Sequence, residues 1–263
     1  MTTIRLVLEY DGTAFHGLQF QPALRTVAGV VEATLSTLLR EPIKIAAAGR
    51  TDAGVHATAQ VVSFVTESPF ATRKLVPALA ALLPHDVVAC EAEEMPAGFS
   101  ARFSARARHY RYAILNRPQR PALLRARVHH VWQRLDVAAF NRAARAALGE
   151  HDFRAFCGVL PERGGTLRRL HDLEAERRGE LVLVRVRGDG FLHRMVRVLV
   201  GTLVEMAQGR RDPESLASIL ESGDRRRAGY TAPAAGLYFA GVTYADRTIL
   251  AEPFSGLVEG GLE

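Results

Sequence analysis

The chain has 263 residues, 48% of them hydrophobic, which is enough for one large or two medium-sized domains with a substantial core. No run of 18 or more apolar residues occurs, which argues against a membrane-spanning helix, and the first residues enter a strand pattern instead of a signal-peptide pattern. The two cysteines, Cys90 and Cys157, do not have the spacing of metal ligands, which is typical of a cytoplasmic protein.

The charge is positive and carried by arginine. The formal net charge is +6, and all 34 basic residues except Lys44 and Lys74 are arginines. A G+C-rich genome would raise the arginine content by itself, but a guanidinium also binds phosphate through two parallel hydrogen bonds. Residues 101–135 contain nine arginines and no acid, with Tyr110, Tyr112 and Trp132 among them. Solvated surfaces usually mix signs, so this segment predicts a nucleic-acid-binding surface.

The hydrophobic periodicity of the first hundred residues predicts the order βαββαβ. In chain order we expect strand Ile4–Tyr10, a helix capped by Thr26, strands Ile43–Ala48 and Gln60–Thr66, helix Thr72–Leu83 and strand Asp86–Glu93. Proline and glycine within residues 95–98 indicate a boundary. We therefore predict an N-terminal α+β domain over residues 1–100.

A similar order recurs in the second half. We expect strand Ala107–Leu115, a helix from the Asp136 cap to Gly149, a hairpin of Arg168–Arg177 and Leu181–Arg187, helices Leu192–Gln208 and Pro213–Leu220, and strand Leu237–Tyr244. This predicts a C-terminal α+β domain over residues 101–245 and a tail without periodicity over 246–263. The halves share no visible sequence identity, but their strands could join in one mixed sheet.

A loop bounded by Gly49 and Gly54 lies between two of the predicted strands and carries Asp52, with Arg50 and His56 on either side. A short loop between strands can hold a carboxylate rigidly, as catalysis requires. The more frequent alternative for such a loop is a turn in which Asp52 bonds its own backbone. His56 could bond the loop backbone or a phosphate, and we favour loop support.

Four stretches in the same order resemble the tRNA pseudouridine synthase A family (the TruA type). They are Tyr10–Gly17, then Arg50–His56, then Ala101–Ala105 running into Tyr110–Tyr112, and finally Met195–Arg197 with Val200–Gly201, followed by Gly236–Tyr238. The resemblance extends from residue 4 to about residue 245. It implies the α+β pseudouridine synthase fold, with two βαββαβ-like halves joined in a mixed, mostly antiparallel central sheet with a basic cleft, and a homodimer.

The family resemblance implies isomerisation of uridine to pseudouridine at positions 38, 39 and 40 in the anticodon stem-loop of tRNA. The product is an isomer of the substrate, so no cofactor is expected. Asp52 matches the essential carboxylate, acting as nucleophile or as base. Arg197 matches the arginine that keeps this carboxylate ionised. Tyr110 matches the tyrosine that stacks on uracil and is a candidate for the C5 proton step. Leu237 matches the apolar residue that packs on the other face of the ring.

The same resemblance implies a set of RNA contacts. Arg50 would fill the space left by a flipped uridine, and Phe15, His16 and Gln19 would line the RNA entrance. Phosphates would be bound, without reading of sequence, by Arg102, Arg106, Arg108, Arg111, Arg117, Arg120, Arg125 and Arg127.

The chain departs from the family pattern at three positions. Leu18 stands where tryptophan is frequent, Ser100 where histidine or aspartate is common, and His109 where arginine is frequent. These departures put fine substrate preference in doubt more than reaction type.

Two alternatives stay open at this point. One is a non-catalytic RNA-binding protein on the same scaffold. The other is a carboxylate-dependent glycosidase or nucleosidase, which needs a second acid near Asp52, with Asp11 and Glu9 as the candidates. No Gly-Lys-Ser/Thr follows a glycine loop and no His/Cys cluster has ligand spacing, so nucleotide and metal sites are not expected.

Overall fold

The computed structural model describes residues 1–254, which form two compact units. Unit 1 consists of Met1–Arg108 and Tyr238–Pro253, and unit 2 of His109–Leu237 and Phe254. In chain order the strands and helices are β1 (Thr2–Tyr10), α1 (Val27–Leu39), β2 (Ala46–Ala47), β3 (His56–Thr66), α2 (Leu75–Leu82), β4 (Val87–Met95), β5 (Ala107–Leu115), β6 (His129–His130), α3 (Val137–Ala144), β7 (Gly149–Asp152), β8 (Leu167–Arg178), β9 (Leu181–Gly188), α4 (Met195–Ala207), α5 (Ser215–Ser222), β10 (Leu237–Thr243) and β11 (Thr248–Leu250).

In unit 1 the strand order is β4-β1-β3-β10. β1 pairs antiparallel with β3 and β4, whereas β10 runs parallel to β3 and sets Tyr238 opposite His56. Helix α1 begins as predicted at Thr26, whose hydroxyl accepts a hydrogen bond from the Gly29 amide at 3.2 Å. Because β1 lies between β3 and β4, Leu6 and Leu8 are fully buried, and β1 is part of the core of unit 1.

In unit 2 the strand order is β5-β9-β8-β7, and β6 runs parallel to β5. β8 and β9 form an antiparallel hairpin, and Gly179 in its turn has a φ of +59°. Helix α3 begins as predicted at Asp136, which accepts a hydrogen bond from the Ala139 amide at 3.0 Å. Every residue of α4 is buried except Arg197 and Glu205, which are half-buried, so α4 is a core helix.

The predicted α+β class, with two βαββαβ-like halves and a mixed, mostly antiparallel sheet, is confirmed. Antiparallel pairs such as β1 with β3 and β8 with β9 outnumber the parallel pairs of β10 with β3 and β5 with β6. Once the short strands are set aside, the second half shows the order β5, α3, β8, β9, α4, α5, β10, which is βαββαβ with α5 as an additional helix.

Several predicted bounds were wrong. The strand predicted at Ile43–Ala48 is reduced to β2, and β3 begins at His56, four residues before the predicted Gln60. The predicted tail contains β11, which pairs with β10, while residues 255–263 of that tail lie outside the described part of the chain. The predicted domains 1–100 and 101–245 stay a prediction; the contact-defined units divide the chain within β5 and β10 instead. None of the helices in residues 1–254 is long and apolar enough to cross a bilayer.

Candidate active site

The loop that carries Asp52 is a tight turn in unit 1. The Asp52 carbonyl oxygen accepts a hydrogen bond from the Val55 amide at 3.1 Å, and the Gly54 amide donates to the Phe15 carbonyl oxygen at 3.3 Å. Gly54 has a φ of +78°, a conformation that favours glycine. Asp52 itself is half-buried. The turn is therefore held closed by hydrogen bonds between backbone groups.

Thr51 anchors this turn to the core of the sheet. Its hydroxyl lies 2.8 Å from the buried Tyr10 hydroxyl, and its carbonyl oxygen accepts from the Leu18 amide at 3.0 Å. The Gln60 side-chain amide donates to the Gly49 carbonyl oxygen at 2.9 Å. Burial raises the pKa of Tyr10 to about 12, so its hydroxyl stays protonated at neutral pH. The residues flanking Asp52 are thus fixed by side chains from β1 and β3.

The segment 12–17 packs backbone to backbone against the Asp52 turn. A Cβ at Gly12 would lie 2.0 Å from the Val55 carbonyl oxygen, and one at Gly17, where φ is +89°, would lie 2.8 Å from the Thr51 carbonyl oxygen. Both distances are too short for any side chain. Glycine at positions 12 and 17 therefore allows the stretch Tyr10–Gly17 to pack against the stretch Arg50–His56. The sequence did not reveal this contact.

His56 supports the turn, as we favoured. It is 1% exposed, and its Nδ1 accepts a hydrogen bond from the Gly12 amide at 3.1 Å. The same nitrogen is 3.1 Å from Asp11 Oδ1, so the neutral imidazole accepts from Gly12 and a protonated one would donate to Asp11. The ring also stacks on Tyr238, with centroids 4.9 Å apart. A phosphate cannot reach a ring that is enclosed on this scale.

The three residues expected at the RNA entrance differ in exposure. Phe15 is 3% exposed, and the Arg25 guanidinium carbon lies 4.0 Å from its ring centroid. His16 and Gln19 are exposed. Phe15 therefore contributes packing, whereas His16 and Gln19 are available for contacts with RNA.

Arg25 was not selected from the sequence. It forms a bidentate ion pair with Asp86, at 2.7 and 2.8 Å. The hydrogen bond from Arg25 holds the pKa of the Asp86 carboxyl below its usual value. No local motif connects Arg25 and Asp86, so only the fold could reveal the pair.

The arginines of unit 1 have unlike environments. Arg50, Arg102 and Arg106 are exposed. Arg108 is half-buried and donates to three carbonyl oxygens, those of Ala48 at 3.0 Å, Ala105 at 3.2 Å and Arg102 at 2.7 Å. This geometry favours a structural role for Arg108, joining the end of β2 to the 102–105 segment, over the phosphate contact expected of it.

In unit 2, Tyr110 is 6% exposed and lies edge-on to Phe191, with ring centroids 5.0 Å apart. Phe191 was not selected from the sequence, because a single aromatic before a helix carries no distinctive signal. Leu237 is 5% exposed. Arg197 is half-buried on α4, and its Nε donates to the Ala232 carbonyl oxygen at 2.8 Å. The ion pair of Arg197 with Asp52 stays a prediction.

The remaining basic residues of unit 2 are mostly exposed. Arg120, Arg125 and Arg127 are exposed, and Arg117 pairs with Glu180 at 2.8 Å. Arg111 is an exception, because it is 6% exposed and its Nη1 donates to the Tyr110 carbonyl oxygen at 3.1 Å. Burial favours a structural role for Arg111. Within residues 1–254 no group of three or more His, Cys, Asp and Glu side chains is placed to hold a metal ion.

Comparison with known proteins fits this local architecture. Residues 6–104 and 143–245 match the family model described as tRNA pseudouridine synthase. The chain belongs to the tRNA pseudouridine synthase family. The matched residues include the Asp52 turn, the segment 12–17 that packs on this turn, and helix α4.

Curated relatives named tRNA pseudouridine synthase A cover nearly the whole chain. The protein from Methylobacterium nodulans is 44% identical over 95% of this chain and 99% of its own length. The protein from Brevibacillus brevis is 44% identical and that from Geotalea uraniireducens 42% identical, each over 93% of this chain and 100% of its own length. A solved Cbf5-Nop10-Gar1 complex is 13% identical, with a TM-score of 0.39 over 90% of this chain and 48% of that chain.

Proposed function

We propose that this member of the tRNA pseudouridine synthase family isomerises uridine at positions 38, 39 and 40 in the anticodon stem-loop of tRNA. The observation that carries the proposal is the Asp52 turn. It is bonded to Tyr10, Leu18 and Phe15 and closed by glycine backbone, while Asp52 remains half-buried. A carboxylate held on such a rigid support is what a reaction at a sugar carbon requires.

The reaction needs no added group. The bond from C1′ to N1 of uracil breaks, the base rotates, and a bond from C1′ to C5 forms. The proton on C5 is lost and N1 gains one, so the atoms balance without a cofactor. Asp52 either attacks the nucleotide as a nucleophile or removes a ribose proton as a base, and either role requires its ionised form.

The other site residues take the roles that the family resemblance implies. Arg197 stabilises the ionised form of Asp52, Tyr110 stacks on uracil, and Leu237 packs on the other face of the ring. Arg50, His16, Gln19 and Arg102 are exposed, as side chains that bind RNA must be. These contacts would be joined by the exposed arginines of the 116–128 segment, which position the backbone without reading sequence.

We also propose that the protein acts as a homodimer in the cytoplasm, without another protein partner. The family resemblance supports the dimer, and the two thiols, one exposed at Cys90 and one buried at Cys157, suit a reducing compartment. Sedimentation of the purified protein measures the mass directly, and a monomer at micromolar concentration contradicts the dimer.

The function is tested on unmodified tRNA transcripts. The wild-type chain and Asp52→Asn are incubated with tRNA, and pseudouridine is mapped by carbodiimide-blocked reverse transcription. We expect stops at positions 38, 39 or 40 with the wild type, no stops with Asp52→Asn, and equal tRNA binding by both.

Two results would contradict the proposal. Stops confined to other uridines would overturn the assigned positions, and turnover by Asp52→Asn would overturn the essential carboxylate. The non-catalytic alternative predicts tRNA binding without any stop.

A further inference from the structure

One segment of unit 2, residues 229–236, lies directly on the backbone of helix α4. A Cβ added at Gly201 of α4 would be 1.9 Å from the Tyr230 carbonyl oxygen, and one added at Gly229 would be 2.7 Å from the Thr202 Cα. Glycine at both places lets the two backbones touch. Leu237, one of the proposed site residues, directly follows the 229–236 segment, so the contact with α4 lies next to that residue in the chain.

Hydrogen bonds hold the 229–236 segment in register with α4. The buried Thr202 hydroxyl accepts from the Gly229 amide at 2.8 Å. The Ala232 amide donates to the Arg197 carbonyl oxygen at 3.0 Å, and Arg197 Nε donates back to the Ala232 carbonyl oxygen at 2.8 Å. The direction of the Arg197 guanidinium is therefore set in part by the position of Ala232.

A third support comes from strand β5. Tyr112 is fully buried, and its hydroxyl donates to the Pro233 carbonyl oxygen at 2.8 Å. A Cβ at Gly236 would lie 2.7 Å from Tyr112 Cζ, so the ring also limits the turn before Leu237. Burial raises the pKa of Tyr112 well above its ordinary value, which keeps the hydroxyl a donor at neutral pH.

We propose that Tyr112 is a positioning residue for the isomerisation: its hydroxyl bond to Pro233 fixes the 229–236 segment, which orients Arg197 on one side and Leu237 on the other. This inference rests on the proposed function, since it takes Arg197 and Leu237 as parts of the site. Tyr112 is distinct from Tyr110, which is assigned to the base itself. Its effect on the reaction passes through the backbone of the 229–236 segment.

The test compares two tyrosine-to-phenylalanine variants of the full chain. Tyr112→Phe removes the oxygen bonded to Pro233 and keeps the ring. Tyr230→Phe is the matched control, because its hydroxyl belongs to the same segment but lies 3.5 Å from His129 Nε2, beyond a good hydrogen bond. We expect kcat to fall about tenfold in Tyr112→Phe, with KM for tRNA within about twofold of wild type, because misplaced catalytic groups lower turnover more than binding. We expect Tyr230→Phe to retain the wild-type kcat.

A second readout separates positioning from general stability. Amide hydrogen exchange across residues 230–236 should accelerate in Tyr112→Phe and stay unchanged in Tyr230→Phe. Thr202→Val, which removes the acceptor for the Gly229 amide at the other end of the segment, should also lower kcat more than it raises KM. These variants are compared at a temperature at which circular dichroism shows all of them folded.

The inference is overturned if Tyr112→Phe retains the kcat of Tyr230→Phe, or if its loss appears in KM alone. Faster exchange of the 229–236 segment with unchanged kcat also overturns it, because the segment would then move without consequence for the reaction. The comparison uses whichever uridine the wild-type chain modifies. A failure of the assigned tRNA positions is therefore visible in the wild type alone and is separate from a failure of Tyr112.

Discussion

The contact of Gly12 with the Asp52 turn predicts a large effect for the smallest substitution. In Gly12→Ala the new methyl carbon would lie 2.0 Å from the Val55 carbonyl oxygen and 2.5 Å from its carbonyl carbon. Favourable contact begins near 3.5 Å, so the two backbones must separate by more than about 1 Å. The obstacle is backbone and cannot rotate away. We expect a loss of stability of about 3 kcal/mol, the upper end of what overpacking costs.

The same displacement should reach Asp52, the proposed catalytic residue, because the Val55 amide donates a hydrogen bond to the Asp52 carbonyl oxygen at 3.1 Å. A shift of about 1 Å in a catalytic group costs roughly 100-fold in rate. We therefore expect kcat of Gly12→Ala to fall about 100-fold, equivalent to about 2.7 kcal/mol of transition-state stabilisation. Steady-state pseudouridine formation at saturating tRNA measures kcat directly.

Gly98→Ala is the matched control. Gly98 has a φ of +86° but no atom within 4 Å of the added Cβ. Alanine there should lose about 1–2 kcal/mol of stability through backbone strain and leave the turn untouched. If Gly12→Ala turns over as fast as Gly98→Ala while both are folded, the packing of segment 12–17 does not position Asp52.

Three further outcomes are expected. Arg197→Met removes the charge that we propose stabilises ionised Asp52, so it should lower kcat about 100-fold. A rate near that of the wild type would contradict the proposed ion pair. The affinity for tRNA should fall steeply with salt, and Arg125→Ala should reduce the slope of log affinity against log salt concentration by about one. Arg226→Ala should leave this slope unchanged, because Arg226 lies outside the acid-free segment 101–135 and is hydrogen-bonded to Asp224. Equal slopes for the two variants would count against that segment as the RNA surface. The hydrogen bond from Arg25 lowers the pKa of Asp86 in the folded state. Asp86 therefore stabilises the folded protein above its unfolded-state pKa of about 3.9, and this stabilisation is lost as the pH falls through the folded-state pKa. Urea unfolding should therefore show Asp86→Asn less stable than wild type by about 0.5–1 kcal/mol at pH 7, given the partial exposure of the pair, with a difference that shrinks below about pH 4; an unchanged difference at pH 3 would contradict it.

The fold class could be predicted because its signals are local. Strand β5 lies where the sequence placed it, and α1 and α3 begin at the predicted caps, Thr26 and Asp136. A helix cap accepts a hydrogen bond from an amide within three residues, and hydrophobic periodicity indicates which face of a helix or strand is buried. Both signals can therefore be recognised in the local sequence, without knowledge of residues that are distant in the chain. The short loop with Asp52 was legible for the same reason, as glycines and a carboxylate between two apolar runs.

What surrounds Asp52 was decided by contacts between residues far apart in the chain. Thr51 meets Tyr10, Gly12 meets Val55, and Arg108 bonds carbonyl oxygens near β2 instead of facing solvent. An arginine in a basic run has the same sequence signature whether it binds phosphate or a backbone oxygen, because the difference lies in what packs beside it.

Composition, periodicity and the ordered motifs by themselves indicated the α+β fold and Asp52 as the candidate catalytic residue. The tertiary structure alone decided which glycines hold the turn and which tyrosine supports the segment that leads to Leu237. The physical reason is that both depend on close approach of backbones from different parts of the chain, and such proximity arises only when the core has packed.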